Sequence, residues 1–284
     1  VFESSLRKFT SIINMGQMCS SNDQQAEANK PEFTVQKHLA TDKYETHDDF
    51  VAALRQSGIE SIQVVLGFDF SGSNDGNGVP PHDNLHGTDY INPYMRVIHI
   101  LWPIIQAFDE DRTIHAYRFG CAQSEDKRVV PLLGDQEKFT GLEEIMAGYT
   151  EAARTVTLSG PTTFAHTIQK CVELEQQMGG KQLVVCVLVT DGGVSDERAD
   201  AKALEAASQF PISFVGIGVG RGDFGILKKF DDRLKGKFDN FQFVDFNEIE
   251  QVAQRCERPD LVMEVALLNE LPDQYQKMKA LGYF

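Results

Sequence analysis

The chain is short of positive charge, of paired cysteines and of long apolar runs, and each shortage removes a class of function. Twenty-seven lysines and arginines stand against 42 aspartates and glutamates, a net charge of −15 over 284 residues. Phosphate backbones repel so acidic a surface, so nucleic acid is not expected as a partner. The cysteines Cys19, Cys121, Cys171, Cys186 and Cys256 are scattered, odd in number and without a CxxC pair. That pattern argues against a disulfide framework and against a structural zinc site. A reducing compartment, cytoplasm or nucleus, is the expected location. No apolar run approaches the roughly 20 residues that cross a bilayer as a helix.

What remains is an ordinary globular composition, 42% apolar and 24% charged, long enough to bury one full core. The first part of the chain stands apart. Residues 1–43 are expected to form a polar, largely disordered tail, because CSSNDQQAEANK offers no periodic apolar face. Inside it lies MGQMCSS, Met15–Ser21. Were Met15 the initiator, Gly16 would become an amino terminus open to myristoylation, with Ser20 at the favoured position. Cys19 could then carry the palmitate that stable attachment requires as a second anchor. On this reading residues 1–14 are absent from the mature protein, which sits at the inner face of the plasma membrane.

From residue 44 onward the pattern alternates. Asp48–Gly58 has helical spacing, Ile62–Phe68 reads as a strand, and Asn92-Pro93 reads as the cap and first residue of a helix that Pro103 should kink. Thr113–Phe119 and Arg128–Leu133 are expected to pair as a hairpin, giving one antiparallel edge strand. Helices follow over Leu142–Arg154 and Thr163–Met178. Gln182–Thr190 is apolar throughout, as in a parallel strand buried on both faces. Later strands lie in PISFVGIGV and FQFVDF, with helices at Asp196–Gln209, near Phe224–Leu234, at Glu248–Arg255 and over Met263–Ala280. The expected fold is α/β: a single doubly wound, mostly parallel sheet over residues 44–284 with helices on both faces. In such sheets ligands bind at the carboxyl ends of the strands.

Three segments arrive at strand ends carrying oxygen. Asp69-Phe70-Ser71-Gly72-Ser73 leaves one strand, Ser159-Gly160-Pro161-Thr162-Thr163 enters a helix, and Thr190-Asp191-Gly192 leaves another strand. Carboxylates with hydroxyls, and no softer donor, suit a small hard cation such as Mg²⁺ or Mn²⁺. If extended backbone persists past the first strand, alternate spacing aims Asp69, Ser71 and Ser73 the same way. A capping turn would use the same residues in DFSGS.

DxSxS, a distant threonine in a GPT turn and a TDG after an apolar strand together resemble the metal-ion-dependent adhesion site of von Willebrand factor A domains. NPYMRVIHI, AFDEDRTIHAYRFG, LSGPTTFAHTI, KKFDDRL and ELPDQYQKMKALG extend the likeness to the copine-type A domain, above all to that of plant RING ubiquitin ligases. By position the resemblance implies a metal held by Asp69, Ser71, Ser73, Thr162 and Asp191. Thr162 is taken over its neighbour Thr163 because it follows Gly-Pro. The resemblance further implies a protein-interaction module in which a partner's acidic residue completes the ion's coordination.

Other readings compete. A ubiquitin ligase needs eight zinc ligands in its RING, and after Asp245 only Cys256 is available. The chain would then be the substrate-binding part of a ligase, and not itself an enzyme. Phosphoryl transfer from Asp69 would want a second acid where Ser71 stands. Calcium-dependent lipid binding belongs, in copines, to modules preceding the A domain. Several strings are declined: GIGVG at Gly216–Gly220 as strand-end packing, Arg221-Gly222-Asp223 as chance, His82 and His86 as a solvated loop, Cys186 as core.

Overall fold

The computed structural model describes residues 43–109, 112–180 and 182–284. The expectations for the tail, including acylation at Gly16 and Cys19, lie outside the described residues. Helix α1 (His47–Gln56) opens with a capping box in which Thr46 and Asp49 satisfy each other's backbone N–H. Strand β1 (Ile62–Asp69) leads through a short 3₁₀ turn, Gly72–Asn74, and a loop to α2 (Pro93–Phe108). Asn92 caps α2 by accepting the Met95 N–H at 3.0 Å, and Pro93 occupies the first turn, where no N–H is needed. Pro103 lies within α2 without ending it.

β2 (Thr113–Phe119) follows, then β3 (Val130–Pro131) and β4 (Lys138–Thr140), both antiparallel to β2. The expected single edge strand therefore comes in two pieces. The Leu132 N–H donates to the Ala116 carbonyl and the Ala116 N–H to the Glu137 carbonyl. Leu133–Gln136 is thrown out between them as a turn closed by Gln136 N–H on Leu133 O. Next come α3 (Leu142–Thr155), α4 (Ala165–Met178), β5 (Leu183–Thr190), α5 (Glu197–Ala207) and β6 (Ile212–Gly218). The chain ends with α6 (Gly225–Arg233), β7 (Phe241–Asp245), α7 (Phe246–Ala253), α8 (Pro259–Leu268) and α9 (Leu271–Ala280). The helix expected over Met263–Ala280 is thus two helices. Pro272 sits in the first turn of α9, where it starts a helix instead of interrupting one.

Among the described residues the sheet runs β3-β2-β1-β5-β6-β7, with β4 also on β2, and β2, β1, β5, β6 and β7 are parallel. Strand residues alternate between two apolar clusters. Val64, Leu66 and Phe68 of β1, with Val185, Val187 and Val189 of β5, face the cluster containing α1, α2, α3, α7, α8 and α9. Val65, Val184, Cys186 and Leu188 face α4, α5 and α6. Both faces are covered, which is why β5 carries no polar alternation. The sheet is doubly wound, and its switch point lies between β1 and β5: from β1 the chain goes outward to β2, then returns to β5 on the other side.

Candidate metal centre

The carboxyl ends of β1 and β5 bring Asp69 beside Thr190. Register pairs Phe68 with Val189, and one residue on, the Thr190 hydroxyl donates to Asp69 Oδ2 at 2.6 Å. The Ser71 N–H donates to Asp69 Oδ1 at 2.8 Å. This bond from a side chain to the backbone two residues on bends the chain, so extended backbone persists only to Ser71 (φ −72°, ψ 157°). Ser73 arrives by the 3₁₀ turn and not by strand alternation. The outcome is still convergence: Ser71 Oγ and Ser73 Oγ stand 3.0 Å apart, and Ser73 donates to Asp191 Oδ1 at 2.9 Å. Ser71 reaches the same oxygen at 3.4 Å. Ser71 occupies the cap position of the turn but makes no capping bond from its side chain.

Thr162 is placed differently. The Gly72 N–H donates to the Ser159 carbonyl and the Ser159 N–H to that of Phe70, so the segment leading to Thr162 lies along the Asp69–Ser73 loop. The Thr162 N–H donates to Ser195 Oγ at 2.9 Å, and the Ser195 N–H returns to the Thr162 carbonyl at 2.8 Å. Thr162 is therefore fixed between the Ser71 segment and the loop after β5, with no hydrogen bond to the other four residues. Its neighbour Thr163 points elsewhere, donating to Asp200 Oδ1 of α5 at 2.7 Å. Of the two threonines, Thr163 has its hydroxyl committed.

Electrostatics distinguishes this cluster from a turn. Asp69 and Asp191 are 0% and 1% exposed. Burial, and then the charge of Asp191, pushes the Asp69 carboxyl up to about 7. Asp191 is also raised by burial, against hydrogen bonds from Asn77, Ser73 and Ser71. Among the described residues neither acid forms an ion pair with a lysine or arginine. Two carboxylates and three hydroxyls would make a hard-cation site, and among the described residues no three of His, Cys, Asp and Glu converge for a softer one. The walls are close. A Cβ on Gly120, whose φ is +70°, would stand 2.8 Å from Asp69 Oδ1, and one on Gly222 would stand 1.7 Å from the Asp191 carbonyl. Gly72, Ser73, Ser159 and Pro161 are exposed and form the rim.

Five supporting residues, Asn74, Asn77, His86, Tyr94 and Tyr149, escape sequence reasoning. Asn77 Nδ2 donates to Asp191 Oδ2 at 2.9 Å, and buried Asn74 donates to the Ser71 carbonyl at 3.2 Å while accepting from the Tyr94 hydroxyl at 2.6 Å. His86, expected in a solvated loop, is 3% exposed. Its ring stacks on Phe70 and Tyr94, with centroids 4.2 and 4.4 Å away. Nε2 lies 2.9 Å from the Asp69 carbonyl and Nδ1 2.8 Å from the Tyr149 hydroxyl. Burial holds this imidazole down, at about 4, so it is neutral at pH 7: Nε2–H donates to Asp69 and Nδ1 accepts from Tyr149. No sequence signal separates it from His82, which is half-buried and stacked on Tyr90. Two of the declined strings fall as expected: strand glycines Gly216 and Gly218 leave room for the rings of Phe241 and Phe224, and Cys186 is core.

Comparison with known proteins follows the same lines. A copine family model matches residues 84–284. Copine family protein 2 of Caenorhabditis elegans is 35% identical over 247 residues, covering 84% of this chain and 3% of that protein. E3 ubiquitin-protein ligase RGLG4 of Arabidopsis thaliana is 34% identical over 254 residues, covering 84% of this chain and 63% of the ligase. The chain therefore spans less than two thirds of either relative. Among solved structures, a von Willebrand factor type A protein from Catenulispora acidiphila matches with a TM-score of 0.41 at 17% identity, covering 78% of this chain and 43% of that one. Manganese-loaded TRAP protein of Plasmodium vivax matches with a TM-score of 0.40 at 18% identity, covering 69% and 72%. With a family model matched over more than half its length, the chain belongs to the copine family.

Proposed function

We propose that this domain is a metal-dependent protein-interaction module. Asp69, Ser71, Ser73, Thr162 and Asp191 would hold Mg²⁺ or Mn²⁺, and an acidic residue of a partner protein would supply a further ligand. The observation that carries the reading is the pair of buried carboxylates, Asp69 and Asp191, gathered around two hydroxyls and in no ion pair with a basic side chain among the described residues. A buried charge pair of one sign is costly unless a cation offsets it. The bound ion supplies an electrophilic point for a carboxylate, while the protein's own residues orient it. Ser73 is exposed and lies on the open side, Asp69 is closed off behind, and Asn77 and Thr190 hold the two carboxylates in place. Calorimetric titration of Mg²⁺ and Mn²⁺ into wild type and Asp191→Ala tests this. Saturable binding to wild type alone is expected, and equal heats from both proteins would refute it.

A second reading is favoured by the 34% identity to an Arabidopsis ubiquitin ligase. Here the module selects substrates for a ligase. It predicts that partners captured with Mg²⁺ and released by EDTA are ubiquitinated in the source cell, but not when Thr162→Ala replaces the wild type. Location at the cytoplasmic face of a membrane, through lipid on Gly16 and Cys19, is the remaining element. Intact mass of native protein carrying a myristoyl adduct is the expected result, and native protein retaining residues 1–14 would oppose it.

A further inference from the structure

At the carboxyl end of β2, beside the proposed metal centre, lies a cavity of about 250 Å³ whose walls include Arg118, Cys121, Gln123, Thr155 and Thr157. Arg118 is 4% exposed and is the only buried lysine or arginine among the described residues. Its guanidinium donates to the carbonyls of Pro131 and Leu132 and to the side-chain oxygen of Gln123. Its Nε is buried without a hydrogen-bond partner, and no ion pair to it is found among the described residues. A buried cation held only by neutral acceptors is an unfavourable arrangement that a counter-charge would relieve. In a chain of net charge −15, the lack of that counter-charge points outward, to an anion brought by something else.

The surroundings already favour negative charge. Burial pushes the Cys121 thiol up, yet hydrogen bonding with Ser124, with the Gln123 backbone and with Arg118 outweighs it and leaves the thiol lowered. The cavity and the metal centre also share a strand of backbone. Cys121 bridges to Leu158, and the Ala122 N–H donates to the Thr157 carbonyl. Two residues along the same segment Ser71 bridges to Ser159, and the segment ends at Thr162. From Thr157 at the cavity rim to Thr162 at the metal is at most ~18 Å of extended chain.

We propose that this cavity is a carboxylate subsite, taking a second acidic side chain of the same partner whose first carboxylate meets the metal. This rests on the metal-dependent reading of the centre. The occupant is an acidic peptide segment in extended conformation, with two carboxylates roughly three to five residues apart. Two localised positive points, one an ion and one a guanidinium, let a strongly acidic protein receive an acidic partner that its overall field would repel.

The test has a metal-free arm and a metal-dependent arm. In EDTA, the Arg118 Nε–H resonance of ¹⁵N-labelled protein is followed as sodium acetate is added, with sodium chloride at equal ionic strength as control. A saturable shift specific to acetate is expected in wild type. It should be lost in Thr157→Glu, an exposed rim position whose new carboxylate fills the cavity from the protein's own side. Absence of that shift in wild type, or its persistence in Thr157→Glu, overturns the subsite. In Mg²⁺, glycine-serine peptides with one glutamate are compared with peptides bearing two at the stated spacing. The second glutamate is expected to tighten binding about tenfold, as a charge-assisted hydrogen bond does. Thr157→Glu should lose that gain and keep the single-glutamate affinity. Equal affinities of the two peptides for wild type overturn the shared partner. Peptide binding that ignores Mg²⁺ while the acetate shift persists strikes the metal reading and leaves the subsite standing.

Discussion

Replacing Asp69 with asparagine should stabilise the metal-free protein at neutral pH, although it removes a proposed ligand. The side chain is wholly buried, with Oδ1 accepting the Ser71 N–H and Oδ2 the Thr190 hydroxyl. An amide of the same shape keeps the first bond and can donate to Thr190 in place of the second. Burial and Asp191 raise the carboxyl from 3.8 to about 7. Between those values the folded protein holds a proton that the unfolded chain has released, so stability falls as pH rises from about 4 to about 7 and is flat above. At 1.36 kcal/mol per pKa unit the loss amounts to about 4 kcal/mol. Asparagine has no proton to lose. In EDTA the two proteins should therefore melt together near pH 4. By pH 8 Asp69→Asn should be higher by roughly 10 °C, taking about 2–4 °C per kcal/mol for a domain of this size. Mg²⁺ at a hundredfold excess over its Kd should return about 2.7 kcal/mol to wild type and far less to the variant. Thermal melts at pH 4, 6 and 8, with EDTA and with Mg²⁺, measure all of this. A variant less stable than wild type in EDTA at pH 8, or a gap independent of pH, would refute the reasoning.

The remaining predictions separate ligand from support. Thr162→Ala should abolish Mg²⁺ heats in calorimetry with little change in melting temperature, because only its backbone is hydrogen-bonded. Thr163→Ala should keep metal binding measurable but lower stability by about 1–3 kcal/mol in denaturant titration, since it strips a donor from buried Asp200. His86→Phe should remove two buried hydrogen bonds, costing about 2–3 kcal/mol at pH 7 by the same assay. It should also flatten the acid limb: burial lowers the wild-type imidazole from 6.5 to about 4, so the stability it gives is present above pH 6.5 and lost as pH falls toward 4. Gly222→Ala should abolish metal binding without altering a ligand, because its methyl would collide with the Asp191 carbonyl.

What the sequence revealed and concealed divides along a physical line. Asp69, Thr190 and Asp191 stand where apolar runs stop, and a run buried on both faces announces a central parallel strand whatever its neighbours do. Asn92-Pro93 declares a helix start through purely local chemistry. The concealed features depend on partners far along the chain. Asn77 earns its place through Asp191, 114 residues away, and His86 through Tyr149, 63 away. Neither bond leaves a periodic trace, and a histidine in a Gly/Pro/Asn-rich stretch looks solvated until the stacked rings of Phe70 and Tyr94 are seen. The break inside the single helix expected over Met263–Ala280 is concealed for a related reason: proline breaks a helix interior and favours a helix start, and only the chain's path around Asn269 and Glu270 decides which Pro272 does.

The buried layer also explains how a short turn can hold its shape against two like charges. The Asp69 carbonyl accepts from His86, while the Tyr94 hydroxyl, 3.2 Å from that carbonyl, gives its one proton to Asn74 Oδ1 at 2.6 Å, and Asn74 grips the Ser71 carbonyl. Tyr94 belongs to α2 and Tyr149 to α3, so the backbone of the proposed ligand loop is tied to two helices packed on one face of the sheet. Repulsion between Asp69 and Asp191 could be relieved by moving the loop, by a proton or by a cation. These ties resist the first. The second operates only up to about pH 7, where Asp69 ionises. Above that pH a cation is the relief left to a rigid pair of carboxylates, and rigidity in the layer beneath is what would turn their repulsion into the proposed affinity.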